Sequence, residues 1–353
     1  MFNHVDGTDL GESGIAEGVG KAVEVGEDIG AGVGIAVEAD CAGEFVDAAS
    51  DVEDGAGRLG LSGRKEIVSR ALLFCGLRLR SSELLLLGYF LYSAALTVAF
   101  GLGAASVAKA CVVLVVAGAF FLWMGRFRGG GSVLRDWAPP LVLLAAYREL
   151  ELFAHDVPGH PLEQGWQAID RVLLNGWHLR AAIESAGWLL PLYFELTYLL
   201  VYGIGFFLVL AVFRARRRDI AHRVLFVYLL GALLAYAIIP FFPSAPTRSL
   251  YTDSDPTVMT PLRRLNLLIV NDADVHTGVF PSAHVSSAFA AAWALLLLVK
   301  ERRREGWGML VYAVSVAIGT IYGRYHYAVD AIAGFAVSLA AIAWVQLQKA
   351  RTA

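Results

Sequence analysis

Residues 280–300 read FPSAHVSSAFAAAWALLLLVK, a short polar turn followed at once by an apolar run. Similar runs recur along a chain in which 57% of residues are hydrophobic and 17% are charged. A helix needs about 20 apolar residues to span the hydrocarbon of a bilayer. Runs of about this length lie at 84–101, 106–125, 138–154, 188–213, 223–242, 284–300, 307–323 and 327–347. They lack the alternation typical of strands, and therefore predict an all-α polytopic transmembrane helical bundle with about eight spans.

The chain divides into three regions by composition. Residues 1–66 are acidic and rich in Gly and Ala, and frequent Gly disfavours a stable helix, so we predict a disordered tail. Residues 67–130 are expected to contain two additional transmembrane helices, and residues 131–353 the remaining six. The start of the chain shows no cleavable signal peptide, so the first span is expected to act as the anchor. The three cysteines have no paired spacing, which indicates neither a disulfide framework nor a zinc site.

Basic residues predict the orientation of the bundle. With eight spans, every cluster of Lys and Arg between the runs falls on one side, which short-loop statistics assign to the cytoplasm. These clusters lie at 64–80, 126–135, 214–223, 300–304 and 349–351. Both termini are therefore expected to be cytoplasmic, and the loops at 155–187 and 243–283 extracytoplasmic. The chain is therefore expected to be an integral membrane protein whose active site lies on the extracytoplasmic side.

Three polar segments interrupt the apolar sequence, each at the end of a predicted span. The first polar segment is PSAPTR at 243–248, the second is FPSAH at 280–284, and the third is RYHYAVD at 324–330. Ionisable groups at membrane depth are costly, so their presence indicates a functional site. Their histidines, carboxylate and arginines are the groups needed to bind and cleave a phosphate ester.

The third polar segment places His326 four residues before Asp330, a spacing that puts both side chains on one face of a helix. A carboxylate that accepts a hydrogen bond from one imidazole nitrogen fixes the tautomer and leaves the other nitrogen able to attack phosphorus. The same spacing also occurs where an Asp only caps a helix beside an interfacial histidine. We predict that His326 and Asp330 lie together at the start of the last span.

The second polar segment is expected to begin a helix. Ser282 suits the N-cap position, and His284 just inside the helix can protonate a leaving-group oxygen. The first N–H groups of a helix lack intrahelical partners and can bind phosphate oxygens. Because the last span also begins on the outer side, two helix N-termini are predicted to converge on one anion. An ordinary Pro-Ser cap is the simpler interpretation of the same residues.

Arginines and buried carboxylates complete the set of candidates. Arg248 lies in a Pro-containing loop that can hold its guanidinium against a phosphate, and Arg324 lies in the turn before His326. Arg263 and Arg264 are expected on the outer side, against the charge bias, and one interpretation is that they anchor the chain to lipid head groups. Intramembrane Arg148, Glu149 and Glu195 are expected to form internal ion pairs, although a transport pathway would also use such groups.

The second and third polar segments carry motifs at which the chain resembles the type 2 phosphatidic acid phosphatase superfamily. The P-S-G-H motif of that family reads PSAH at 281–284, and its H-x-x-x-D motif runs from His326 to Asp330. The flanking sequence YHYAVDAIAG at 325–334 is most similar to the branch that contains inositol phosphorylceramide synthases. The resemblance covers roughly residues 135–347 and implies a six-helix phosphatase-type core.

The resemblance implies that His326 is the nucleophile, Asp330 orients it and His284 is the general acid, with Arg248, Ser282 and Arg324 binding phosphate. It implies no metal and no cofactor. The chain departs from the family pattern where a Lys, a Pro and a Ser-Arg pair are expected. Those positions hold Phe241, Ser249, Gly319 and Thr320. The missing Lys and Arg favour a transferase over a monoester phosphatase.

The predicted function is a metal-independent membrane lipid phosphatase or phosphotransferase that carries out head-group transfer similar to that of inositol phosphorylceramide synthases. Alternatives are a lipid or polyprenyl phosphate monoester phosphatase, and a non-catalytic membrane protein or transporter. The expected partners are a membrane lipid substrate and a lipid or polyol acceptor, with no nucleic acid. Trp166, Trp177 and Trp188 in the 155–187 loop are interpreted either as part of an acceptor site or as an interfacial aromatic belt.

Overall fold

The structure is a computed structural model that describes residues 79–126, 132–155, 158–250, 257–273, 275 and 277–352. Of these residues, 83% are helical and none is in a strand, which agrees with the predicted all-α class. The acidic tail predicted at 1–66 and His276 lie outside the described residues.

Thirteen helices are numbered here along the described part of the chain. The first seven are α1 (Ser81–Ala99), α2 (Ala104–Gly125), α3 (Ser132–Glu149), α4 (Pro161–Arg171), α5 (Leu179–Glu184), α6 (Leu189–Leu200) and α7 (Ile204–Arg214). The remaining six are α8 (Ala221–Ile238), α9 (Thr247–Leu250), α10 (Pro261–Ala273), α11 (Ala283–Leu298), α12 (Arg303–Tyr322) and α13 (Ala328–Thr352). Short 3₁₀ turns extend several of them, and a π turn at Val172–Gly176 follows α4.

Five helical stretches among the described residues are long and apolar enough to cross a membrane. They are Ser81–Ala99, Ala104–Gly125, Leu189–Arg214, Arg218–Phe241 and Ala328–Gln348. A sixth would be the pair Ala283–Leu298 and Lys300–Tyr322, bent by 116° at the break between them. The chain is therefore an integral membrane protein, whereas the predicted count of eight spans and the six-helix core are not confirmed.

The difference in span count has identifiable causes in three helices. The run predicted at 138–154 falls on α3, which contains Pro139 and Pro140 and ends in charged residues. The run at 284–300 falls on α11, which has 16 residues, fewer than a bilayer requires. The run at 307–323 falls on α12, which begins with Arg303, Arg304 and Glu305.

Small residues let α11 and α13 pack closely with their neighbours. A Cβ atom at Gly231 of α8 would lie 2.5 Å from Cβ of Ala290, and Ser286 Oγ donates a hydrogen bond to the Gly231 carbonyl at 2.8 Å. A Cβ at Gly334 of α13 would lie 2.4 Å from the carbonyl oxygen of Ser282. Such contacts between small residues are the usual means of helix association in membranes. They hold α11 centrally between α8, α12 and α13.

The three polar segments meet at one end of the bundle, which we call the site end. The N–H of Ser282 donates to the carbonyl of Asp330 at 3.0 Å, and Thr247 Oγ1 donates to the carbonyl of Arg324. At the opposite end, α1 is attached to α3 by the ion pair between Glu83 and Arg135, in which Nε and Oε1 are 2.5 Å apart. Arg135 and Glu83 are both buried, so this pair joins the additional helices to the rest of the bundle.

Candidate active site

The two histidines of the polar segments are in contact. His284 Nδ1 lies 3.3 Å from His326 Nε2, although the residues are 42 positions apart. His284 is in the first turn of α11 and half-buried, whereas His326 is 7% exposed and lies between α12 and α13. The two imidazoles therefore meet in the structure.

The other ring nitrogen of His326 has two oxygen neighbours. Nδ1 lies 3.0 Å from the carbonyl oxygen of Val279 and 3.4 Å from Oδ2 of Asp330. A carbonyl oxygen can only accept a hydrogen bond, so Nδ1 carries a proton, and in the neutral ring Nε2 carries the lone pair. The lone pair of His326 thus points towards His284. This is the tautomer that nucleophilic attack by Nε2 requires.

The expectation that His326 and Asp330 share a helix face is wrong in detail. Helix α13 begins at Ala328, so His326 precedes it. The N–H groups of Tyr325 and His326 both donate to the Thr320 carbonyl, at 2.9 and 3.1 Å, and this closes a tight turn at the end of α12. Asp330 still reaches His326 because it lies in the first turn of α13.

Ser282 caps α11, as predicted. Its Oγ accepts a hydrogen bond from the N–H of Val285 at 3.4 Å, and its own N–H donates to the Asp330 carbonyl at 3.0 Å. The residue is fully buried. Ser282 therefore joins the starts of α11 and α13, and it does not line the cavity beside the histidines.

The start of α13 does not offer its first N–H groups to an anion, contrary to the prediction of two converging helix ends. The N–H of Ala328 donates to Oδ1 of Asp170 at 2.9 Å, and that of Tyr327 donates to Oδ2 of Asp330 at 2.9 Å. Two carboxylates of the chain thus occupy this helix N-terminus. Carboxylates are stabilised there by the same dipole that was expected to attract phosphate.

Neither arginine predicted to bind phosphate lines the cavity beside the two histidines. Arg324 is buried and has a left-handed backbone with φ of 59°, and its carbonyl accepts the hydrogen bond from Thr247. Arg248 follows Thr247 in α9 and is half-buried. The structure therefore brings the first and third polar segments together, while the roles of both guanidinium groups remain predictions.

A family model described as the PAP2 superfamily matches residues 166–344, half of the chain. The chain belongs to the PAP2 superfamily. The match covers all three polar segments and confirms the predicted superfamily, but it does not distinguish the inositol phosphorylceramide synthase-like branch. No curated protein and no solved structure matches the chain.

Membership of the PAP2 superfamily supports an enzyme, because its members are phosphatases or phosphotransferases. Two departures from the family pattern are explained by packing. A Cβ at Gly319 would lie 3.1 Å from the carbonyl oxygen of Phe194, and Thr320 is fully buried. A side chain at residue 319 would have to enter this closed contact between α6 and α12, and a long basic side chain at residue 320 would have to be buried.

Sequence reasoning missed the role of a buried polar network beside the PAP2 motifs. Glu195 Oε1 accepts a hydrogen bond from Nη1 of Arg263 at 2.8 Å, and its Oε2 accepts from Tyr325 Oη at 2.6 Å and from Asn266 Nδ2 at 2.7 Å. Arg263 is buried, so its interpretation as a head-group anchor is wrong, whereas Arg264 is exposed. The sequence signal for this network was Glu195, a carboxylate within an apolar run.

This network supports the residue that precedes His326. Burial, and then the neighbouring Glu195 carboxylate, hold the pKa of Tyr325 well above its ordinary value, so the phenol keeps its proton. The Tyr325 ring stacks on Tyr198, with centroids 3.8 Å apart, and the Tyr198 ring lies 5.2 Å from that of His284. The network therefore reaches His284 through the rings of Tyr325 and Tyr198.

Two further predictions concern polar groups. Arg148 lies on the exposed surface of α3, whereas Glu149 is buried, so the ion pairs expected for them stay a prediction. Within the described part of the chain, no group of three or more His, Cys, Asp and Glu side chains could hold a metal ion. The expectation that no metal takes part stays a prediction.

A cavity of about 70 Å³ adjoins the two imidazoles. Its walls are aromatic and aliphatic, and α3 supplies one of them with Leu143, Leu144 and Tyr147. Leu144 and Tyr202, which both line the cavity, are 47% and 41% exposed. The cavity is thus mainly apolar and has an edge on the outer surface of the bundle.

Proposed function

We propose that this chain is a membrane lipid phosphatase or phosphotransferase that acts on a phospholipid or head-group phosphate at the extracytoplasmic face. The observation that carries the proposal is the 3.3 Å contact between His284 Nδ1 and His326 Nε2. It brings a nucleophile and a proton donor together at the mouth of a largely apolar cavity. The favoured reaction is head-group transfer of the kind carried out by inositol phosphorylceramide synthases.

The first step is displacement at phosphorus. The lone pair of His326 Nε2 forms the N–P bond while the bond from phosphorus to the leaving oxygen breaks. His284 donates its proton to that oxygen, which leaves as an alcohol. Asp330 beside Nδ1 stabilises the positive charge that develops on the His326 ring.

The substrate must separate the two rings before this step. The lone pair of Nε2 points at His284 Nδ1, so a phosphorus atom in line for attack needs the space between them. The phosphoryl group would enter from the cavity and come to lie between the two nitrogen atoms. His326 Nε2 would then face phosphorus, and His284 would face the leaving oxygen on the opposite side.

The second step decides the product. An acceptor oxygen attacks the phosphohistidine, its proton passes to His284, and the N–P bond breaks with its electrons returning to Nε2. Water as the acceptor gives hydrolysis, whereas a lipid or polyol hydroxyl gives transfer. The absence of the family's Lys and Arg at 241 and 320 supports transfer, because these are clamps for a phosphate monoester.

The apolar walls of the cavity support a lipid substrate. Helices α3 and α7 touch where a Cβ at Gly205 would lie 2.7 Å from Cβ of Pro140. Nearer the site end, Leu144 and Tyr202 stand exposed at the cavity edge. We propose that an apolar chain of the lipid substrate enters there from the bilayer. The predicted topology of eight spans would put the site end on the extracytoplasmic side.

The test uses the full chain purified in lipid micelles. Phosphate release from phosphatidic acid measures hydrolysis, and transfer from phosphatidylinositol to ceramide measures head-group exchange. We expect His326→Ala and His284→Ala to lose activity by at least about 10²-fold, and exposed His178→Asn to keep it. EDTA should leave turnover unchanged. Activity that survives both substitutions would reject the proposed histidine mechanism, and release of phosphate without any transfer would favour the monoester phosphatase.

A further inference from the structure

Helix α4 contacts all three polar segments. Glu163 Oε1 accepts a hydrogen bond from the N–H of Ala245 in the first polar segment, at 2.8 Å. The Trp166 ring stacks on Phe280 in the second, with centroids 5.2 Å apart and planes at 25°. Asp170 Oδ1 accepts from the N–H of Ala328 in the third, at 2.9 Å. One short helix therefore joins three segments that are far apart in sequence.

The three contacting residues lie on one face of α4. Positions 163, 166 and 170 have the i, i+3, i+7 spacing that aligns side chains along a helix. Glu163 and Asp170 are each 1% exposed, whereas Ile169 on another face is 44% exposed. Burying a carboxylate is costly unless hydrogen bonds compensate. Both buried carboxylates bind a backbone N–H of a polar segment, which accounts for their presence.

Trp166 also contacts the third polar segment. Its ring meets the edge of Tyr327 with centroids 5.4 Å apart. Phe280 and Tyr327, on either side of this indole, lie one residue before Pro281 and one residue after His326. The indole thus packs between the loops that lead to the two histidines.

We propose that α4 fixes the mutual position of the three polar segments, with Glu163, Trp166 and Asp170 as positioning residues for the histidine pair. This inference rests on the proposed function. The first segment follows α8, the second precedes α11 and the third precedes α13, so small movements of these helices would otherwise change the distance between the imidazoles. Catalytic groups must be held to within about 0.5 Å, and rigid neighbouring elements provide that precision.

Asp170 offers the sharpest variants. Asp170→Asn keeps an oxygen acceptor for the Ala328 N–H, whereas Asp170→Ala removes it. A positioning role predicts that the alanine variant loses about 10²-fold in kcat with little change in KM, since small misplacements have effects of that size. The asparagine variant should recover most of the rate. Ile169→Ala, on the exposed face of the same helix, is the matched control.

A second measurement does not depend on turnover. Hydrogen–deuterium exchange of the full chain in micelles would follow the backbone amides of residues 326–331 and 243–248. We expect faster exchange at 326–331 in Asp170→Ala and at 243–248 in Glu163→Ala, with wild-type rates in Asp170→Asn and Ile169→Ala.

The outcomes separate this inference from the proposed function. Unchanged exchange at 326–331 in Asp170→Ala would overturn the positioning role of α4. So would equal kcat losses in Asp170→Ala and Ile169→Ala. If the wild-type protein turned over no lipid while the variants showed the expected exchange pattern, the proposed reaction would be rejected and the positioning role supported.

Discussion

The carbonyl oxygen of Val279 lies 3.0 Å from Nδ1 of His326, closer than the Asp330 carboxylate at 3.4 Å. A backbone group cannot be removed by substitution, so this contact keeps the His326 tautomer even when Asp330 is changed. We therefore expect Asp330→Asn to lower kcat by about 10- to 10²-fold through lost charge stabilisation. His326→Ala should abolish activity.

Steady-state kinetics on the lipid substrate check this ranking. Asn can still accept the hydrogen bond from the Tyr327 N–H, whereas Ala cannot, so Asp330→Ala should be slower than Asp330→Asn. An asparagine variant as inactive as His326→Ala would show that the carbonyl contact does not maintain the tautomer.

The role of His284 can be tested with leaving groups of different acidity. A general acid is needed for an alkoxide leaving group and much less for p-nitrophenolate. His284→Ala should therefore lose about 10²- to 10⁴-fold on lipid substrates and clearly less on p-nitrophenyl esters. Parallel assays of His326→Ala, which should be inactive on both, provide the control. Equal losses of His284→Ala on both substrate types would contradict the assignment.

The close contact between Gly334 and Ser282 predicts intolerance of a methyl group. A Cβ at Gly334 would lie 2.4 Å from a backbone oxygen, which cannot move aside without shifting α11. We expect Gly334→Ala to lower stability by about 1–3 kcal/mol, the usual effect of overpacking, and to reduce activity. Gly308→Ala in α12, where a Cβ meets open space, is the control and should match or slightly exceed wild-type stability. Thermal unfolding in detergent measures both, and equal melting temperatures would refute the contact.

The Glu195 network predicts a strong dependence of stability on charge pairing. Glu195→Leu leaves the buried Arg263 without its carboxylate, and uncompensated buried charges cost about 3–5 kcal/mol. Glu195→Leu combined with Arg263→Met removes both charges and should recover part of the stability. Melting temperatures of the two single variants and the double variant form the test. Purely additive losses would mean that the two residues do not stabilise each other.

Asp170 predicts a pH-dependent contribution to stability. Burial raises its pKa to about 7 from the ordinary 3.8; the Ala328 N–H bond and Arg324 lower it, and Asp330 raises it. Between pH 3.8 and about pH 7, Asp170 keeps its proton in the folded chain but has lost it in the unfolded chain. The free energy of unfolding therefore falls as the pH rises. Each pKa unit corresponds to about 1.4 kcal/mol. The Asp170→Asn variant lacks this pH-dependent contribution.

The measurement is the melting temperature of wild type minus that of Asp170→Asn, taken from pH 4 to pH 7. We expect this difference to fall by several degrees as the pH rises. Asp272→Asn, at an exposed position of α10, should show a constant difference and serves as the control. If this difference in melting temperature rose as the pH rose, it would contradict the raised pKa of Asp170.

Much of the site could be predicted because short motifs specify local chemistry. Ser282 caps α11, and His284 and Asp330 lie in the first turns of their helices, as their sequence positions indicated. Placement of His326 on the helix was wrong, because the turn before α13 is held by the Thr320 carbonyl rather than by helical bonds. The contacts of Glu195 and α4 were missed, since their partners are 60 or more residues away.

The sequence alone determined that the chain is helical, lies in a membrane and carries the PAP2 motif residues, because apolar run length and motif spacing are local properties. The tertiary structure decided which oxygen atoms contact His326, which carboxylates occupy the start of α13, and which arginines are buried. These depend on how separate helices pack, and a hydrogen bond forms only when packing brings its two atoms within about 3 Å.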